Sequence, residues 1–208
     1  MILLINNAKP NLADFHYIKY IRNVLKKNNI DYIETKKIED LEHSPKLSTK
    51  SIKGIIISGS PLILSKPILL EDYGYIFHYL LKYPNIPVLG ICFGCQLLSM
   101  ICSGFTLEHQ KKYLCTTLSV KLDNTHPLFL VTGTDGLTKE IQFCFSDLII
   151  PNKKIENTRE IAWFHYNNKK MPCGFDFSNQ RYGILFHSEY LQETHYILLN
   201  FCNKICKV

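Results

Sequence analysis

The sequence predicts an α/β fold: a three-layer domain with a central, mostly parallel sheet flanked by helices. Three observations predict it. The first hundred residues run strand–helix–strand–loop–strand–helix–strand–helix, short apolar runs alternating with segments of helical period. The runs at 1–5, 54–57 and 86–91 are apolar without the alternation of a half-exposed strand, as expected of strands covered on both faces. Two of them lead directly into glycine-bearing turns, Ser58-Gly59-Ser60-Pro61 and Cys92-Phe93-Gly94. Open parallel sheets bind ligands at such turns.

The elements follow in order. Met1–Ile5 is the first strand, and residues 6–10 form a loop. From Leu12 to Asn28, Phe15, Ile18, Ile21, Val24 and Leu25 recur at helical spacing, with Lys19, Arg22, Lys26 and Lys27 on other faces. Ile30–Glu34 reads as the second strand. Residues 35–52 are polar and poorly periodic, with at most a short helix at 37–41. Gly54–Ile57 is the third strand, followed by a loop holding Ser65, Lys66 and Pro67. A helix is expected over Glu71–Leu81. Pro87 sits where a strand can begin, and Val88–Ile91 leads through a tight turn into a helix that Gly104 stops.

Beyond Gly104 the pattern changes. Tyr113–Leu122, Glu140–Phe145 and Glu160–Tyr166 read as extra strands, antiparallel ones, in the C-terminal half. Asn124–Phe129 is a turn containing His126, and a polar loop surrounds Pro151–Lys154. Tyr182–Phe186 is a last strand ending in His187-Ser188-Glu189, and Gln192–Cys206 is an amphipathic helix. With no repeat or linker, residues 1–208 are expected to form one domain.

Composition narrows the function. Of the 208 residues 46% are hydrophobic and 20% charged, which describes an ordinary globular chain. The net charge of +6 comes from scattered lysines, which reads as a solvated surface, and no phosphate loop appears, so no nucleic-acid partner is expected. Residues 1–5 are too short for a signal peptide, and no apolar run approaches the ~20 residues that cross a bilayer. A cytoplasmic protein without membrane contact is the expectation. Without a secretory signal, the eight cysteines are not expected to form a disulfide framework. Cys92 and Cys95 form a C-x-x-C that no second pair answers, so no metal site is expected. Cys202 and Cys206 read as small buried hydrophobes.

Chemistry concentrates at Gly90–Gln96. A strand–turn–helix lifts one side chain above the sheet, as in a G-x-S-x-G elbow with sulfur in place of oxygen. The helix start leaves backbone N–H groups unpaired, which favours a thiolate and stabilises a developing oxyanion. Cys92 is therefore the candidate nucleophile. A cysteine nucleophile needs a base, and the base an acceptor that fixes its ring. His187 and Glu189 lie two apart, so their side chains leave the same face of a strand end. An oxyanion hole would combine the Phe93 N–H with one from the Gly59-Ser60 turn. His126 reads as part of a turn, and Asp147 as a solvated or capping residue.

Three segments carry a family resemblance: Gly90-Ile91-Cys92-Phe93-Gly94-Cys95-Gln96, Ser58-Gly59-Ser60-Pro61 and Phe186-His187-Ser188-Glu189. They resemble, in order and spacing, the motifs G-[IV]-C-[FLY]-G-x-Q, S-G-G-P and F-H-P-E of the class I (triad-type) glutamine amidotransferases. The resemblance implies a flavodoxin-like three-layer fold and a Cys92–His187–Glu189 triad. That triad would hydrolyse glutamine to glutamate and ammonia through a cysteinyl thioester, with no cofactor. It also implies that Gln96 holds substrate. The family's substrate-gripping S-H-x-D segment has its counterpart in Cys144-Phe145-Ser146-Asp147, which lacks the histidine, with Ser146 as the substrate-binding candidate. Chain length and the S-G-S-P turn most resemble separate glutaminase subunits of GMP synthetases, which implies an ATP-dependent synthase partner. A γ-glutamyl peptidase or hydrolase of the same fold is the alternative within enzymes. A non-catalytic binding or regulatory relative is the alternative outside them. Cys95 puts a second thiol near Cys92 in sequence, and reversible oxidation there is a further expectation.

Overall fold

The protein's structure, a computed structural model, describes residues 1–7, 16–35, 52–65, 73–131, 138–151 and 157–208. Among these residues nine strands make one sheet. They are β1 (Ile2–Ile5), β2 (Tyr32–Thr35), β3 (Gly54–Ile57), β4 (Val88–Ile91), β5 (Thr106–Leu122), β6 (Thr138–Ile150), β7 (Arg159–Tyr166), β8 (Lys169–Asp176) and β9 (Arg181–Ile184). The spatial order is β2-β1-β3-β4-β9-β8-β7-β5-β6. The first five in that order pair in parallel. The other pairings are antiparallel. The α-helices are α1 (His16–Lys27), α2 (Gly74–Lys82), α3 (Phe93–Ser103) and α4 (His195–Asn200), the last continuing as a π turn over Phe201–Ile205. The expected fold class is thus the observed one. No helix among the described residues is long and apolar enough to cross a membrane.

Local chemistry explains these elements. Every residue of β1, β3 and β4 is buried, as their unbroken apolar runs predict. On α1, Ile18, Ile21, Val24 and Leu25 form the buried stripe, while Lys26 and Lys27 in the last turn suit the helix dipole. Arg22 reaches across to β2 as a two-pronged ion pair with Glu34, each contact 2.6 Å. Such a fork fixes geometry as well as adding energy. Gly104, with φ 56, ends α3.

Three findings depart from the sequence reading. β8 is unexpected, because Pro172 interrupts its pattern; the proline sits where the β7–β8 register shifts, so its missing N–H costs little. β5 begins earlier than expected, and β6 is longer than expected at both ends. Their polar positions face outward on β5 while β6 is mostly buried, so cross-strand packing extends the ladder through residues that lack strand propensity. That ladder also sets Cys115 opposite Cys144, Cα atoms 4.2 Å apart, joined by a disulfide. The expectation of no disulfide is corrected: this is a single cross-strand link created by hairpin register, over a sequence separation of 29. The readings at 8–10, 12–15, 37–41, 66–67, 71–72 and 152–154 lie outside the described residues.

The junction of β4 with α3 is the tightest part of the fold. A Cβ on Gly94 would overlap the Ile57 carbonyl oxygen and lie 2.9 Å from Ile57 Cγ2, and one on Gly90 would overlap the Gly94 carbonyl. Gly94→Ala is expected to lower unfolding stability in urea by about 1–3 kcal/mol, the usual cost of overpacking. Gly74→Ala, with nothing within 4 Å of its added Cβ, is expected to be neutral or mildly stabilising. Equal losses for the two would contradict the packing account.

Candidate active site

Parallel pairing brings the sequence motifs together. β4 lies between β3 and β9, with Ile57 beside Gly90 and Ile91 beside Ile184. The segments that follow these three strands, Ser58–Pro61, Cys92 and His187–Glu189, therefore meet at the carboxyl edge of the sheet, where open α/β proteins bind ligands. Cys92 has φ 53 and ψ −105, a left-handed backbone for a side chain with a Cβ. Such strain costs about 1–3 kcal/mol and persists only where neighbours impose it. Here the Cys92 N–H donates to Ile184 O at 2.8 Å, and its carbonyl accepts the Gln96 N–H at 3.0 Å. Phe93 is buried and opens α3, so its N–H belongs to the first-turn donors that have no helical acceptor.

The turn after β3 is fixed from the next strand over. Asn7 N–H donates to Ser58 Oγ at 3.0 Å and Asn7 Nδ2 to Ser58 O at 2.9 Å, while Ser60 Oγ donates to Asn7 O at 2.9 Å. Ser60 keeps an ordinary φ, so serine in place of a second glycine adds no strain. Gly59 passes directly over the site. A Cβ there would lie 3.1 Å from His187 Cε1 and 3.6 Å from Cys92 Cβ.

His187 Nδ1 and Glu189 Oε1 are 2.8 Å apart, with both side chains buried. Their turn is pinned by the His187 N–H to Gln142 O at 2.8 Å and by Thr194 Oγ1 to Ser188 O at 2.9 Å. Burial alone would lower the His187 pKa, but the Glu189 carboxylate and the adjacent Cys92 outweigh it and raise the value to about 10. Among the described residues His187 Nε2 has no hydrogen-bond partner. The Cys92 thiol donates to the Cys144 carbonyl at 3.2 Å. A carboxylate-oriented imidazole beside a thiol on a strained turn can serve as base and nucleophile for acyl transfer.

These groups border a cavity of about 450 Å³ lined by Cys92, His187, Ser60, Gln96, Ser146 and Asp147, among others. Of the residues expected at the site, Ser60, Gln96 and Ser146 thus reach the cavity together with Cys92 and His187, and Glu189 stands behind His187. Asp147 is corrected from solvated to buried. Its carboxylate accepts Ser65 N–H at 3.0 Å and Ser65 Oγ at 2.6 Å and meets His109 Nδ1 at 2.9 Å, while its carbonyl accepts Gln96 Nε2 at 2.8 Å. The polar neighbours that bury it come from distant segments and leave no local signal. Cys95 lies on the first turn of α3. It is fully buried against Gly183, away from the cavity lining, and burial pushes its thiol well above the ordinary range. Sequence reasoning also misses Asn7, Tyr17 and Tyr113; the last two line the cavity.

The chain is similar to known proteins in family and in fold. Residues 11–205 match the family model for glutamine amidotransferase class-I. The chain is 27% identical over 216 residues to the separate subunit of a glutamine-hydrolysing GMP synthase from Methanococcus vannielii, covering 99% of this chain and 97% of that protein. It is 30% identical over 166 residues to a glutamine-hydrolysing GMP synthase of Clostridium tetani, covering 78% of this chain. The chain spans only 29–30% of the length of that protein and of two further bacterial GMP synthases. The crystal structure of a GMP synthase subunit protein from Thermoplasma acidophilum shares the fold, with TM-score 0.75 and 20% identity over 99% of this chain and 93% of that one.

The raised pKa of His187 has a consequence for stability. Protonated His187 stabilises the folded state fully below its ordinary 6.5, and the contribution fades as pH rises toward about 10. Urea unfolding is expected to show stability falling between pH 6.5 and about 8.5, before most thiols and phenols titrate. His187→Gln should flatten that slope. The same slope in both proteins would contradict the pairing.

Proposed function

This chain belongs to the class I glutamine amidotransferase family, and from that premise we propose that it hydrolyses the side-chain amide of glutamine through a thioester on Cys92. With the proton already held on His187, the Cys92 sulfur bonds to the amide carbon. The carbonyl oxygen becomes an oxyanion facing the N–H groups of Phe93 and of the Gly59-Ser60 turn. His187 then delivers the proton to nitrogen, ammonia leaves, and the γ-glutamyl group remains on sulfur. A water deprotonated by His187 attacks the thioester, releasing glutamate and freeing the sulfur. Glu189 orients the imidazole and stabilises its charge. Gln96 and Ser146 hold the substrate.

The observation that carries this reading is the 2.8 Å pairing of His187 with Glu189 at the strand end beside Cys92. On the same reading the chain is a cytoplasmic glutaminase subunit, and its ammonia passes to an ATP-dependent, GMP synthetase-like partner. The similarity to the subunit of the Methanococcus vannielii GMP synthase supports this role. A γ-glutamyl peptidase on this fold is the second enzyme reading, and a non-catalytic regulatory subunit the reading outside enzymes.

Glutamate release by the purified chain, alone and with candidate synthase subunits, tests the proposal. Cys92→Ser is expected to reduce turnover at least about a thousandfold, and Glu189→Gln about a hundred- to ten-thousandfold. Hydrolysis of γ-glutamyl peptides in preference to glutamine would move the assignment to a peptidase. No turnover with any partner, together with no labelling of Cys92 by a diazo-ketone glutamine analogue, would overturn the enzyme reading.

A further inference from the structure

The reaction above leaves a group of residues beside the base unused. Tyr17, on α1, lays its ring on the His187 imidazole, with centroids 3.7 Å apart and planes inclined by 18°. Its hydroxyl hydrogen-bonds to Cys144 Sγ and lies 3.8 Å from Cys115 Sγ, so it rests on the disulfide. Gln142 Nε2 approaches the sulfurs of Cys115 and Cys144 at 3.6 and 3.5 Å, and the Gln142 carbonyl accepts the His187 N–H. The Cys144 carbonyl accepts the Cys92 thiol. The disulfide therefore touches the residue on the face of the base and the residue holding the backbone of the base, and the backbone carbonyl of one of its cysteines meets the nucleophile.

The two sulfurs are unequally placed. Cys144 is buried and Cys115 is exposed, so a reductant in solution meets Cys115 first. Burial pushes the Tyr17 hydroxyl well above its ordinary range, with Tyr113 and Cys92 adding to the shift, so it stays a neutral donor.

Resting on the roles proposed for Cys92 and His187, we propose that Tyr17 is a positioning residue for His187 and that Cys115 and Cys144 form a redox site controlling its hold. A dithiol reductant attacks Cys115 Sγ through one thiolate, the S–S bond breaks, and Cys144 leaves as a thiolate that takes up a proton. The second thiol of the reductant then displaces Cys115. The reductant gives up two electrons and two protons and becomes a disulfide, leaving two cysteine thiols. Sulfurs bonded at about 2 Å move to non-bonded contact at roughly 3.5–4 Å. That displacement occurs where the Tyr17 hydroxyl sits, so the ring on His187 shifts with it. The oxidised form is the aligned one.

The test uses the full chain, oxidised or treated with dithiothreitol and then freed of it. Two readouts are followed: the rate of Cys92 carbamidomethylation by iodoacetamide, located by peptide mass spectrometry, and kcat and KM for glutamine. Oxidised protein is expected to label Cys92 and turn over about tenfold faster than reduced protein, with KM unchanged, a plausible size for a displaced base. Cys115→Ser should behave like reduced protein under both conditions. Tyr17→Leu should lower kcat about tenfold without changing KM. Tyr17→Phe, which keeps the ring, should recover most of that loss and no longer respond to reductant. Equal Cys92 labelling in oxidised and reduced wild-type protein would overturn the proposal, as would a response to reductant that survives in Cys115→Ser. Labelling that follows the disulfide without glutamine turnover would support the redox coupling and count against the glutaminase reading alone.

Discussion

The backbone contact between Gly94 and the carbonyl of Ile57 is the constraint on which the site depends. It lets the first turn of α3 sit against the end of β3, leaving no room for a Cβ at either Gly90 or Gly94. Between those two residues the chain must reverse, and Cys92 takes the left-handed backbone that results. The strain is tolerable because β9 accepts the Cys92 N–H and α3 uses its carbonyl. A cysteine held this way projects above the sheet without flexibility of its own, which is what a nucleophile aimed at one carbon requires.

A second constraint comes from the antiparallel half of the sheet. β6 lies at the far edge from the parallel core in strand order, yet Gln142 bridges to His187 and the Cys144 and Asp147 carbonyls bond Cys92 and Gln96. The hairpin of β5 and β6 thus returns over the carboxyl edge and supplies one wall of the cavity. The parallel core fixes nucleophile and base relative to each other, and the hairpin fixes what surrounds them. Asp147 links this wall to the loop after β3 through Ser65, so the cavity is closed by side-chain bonds between segments far apart in the chain.

What is legible in the sequence is whatever has a local period or a short spacing. The buried runs of β1, β3 and β4, the stripe on α1, the elbow at Cys92 and the His187-x-Glu189 pair all fall in that class. What is not legible depends on register and on distant partners. β8 is hidden by Pro172, whose cost vanishes at a register shift. The Cys115–Cys144 link exists only because β5 and β6 pair as they do. Tyr17 reads as one more aromatic on a helix, and only the fold turns it onto His187. Asp147 misleads for the same reason: the groups that surround it come from elsewhere in the chain.

The central claim is that Cys92, and no other cysteine, carries the acyl group. Acid quenching during turnover of glutamine, followed by peptide mass spectrometry, tests it most directly. The account predicts a γ-glutamyl thioester on the peptide containing Cys92 that accumulates and decays with turnover. Glutamate formation with no adduct at Cys92, or with the adduct on another of the cysteines, would contradict it.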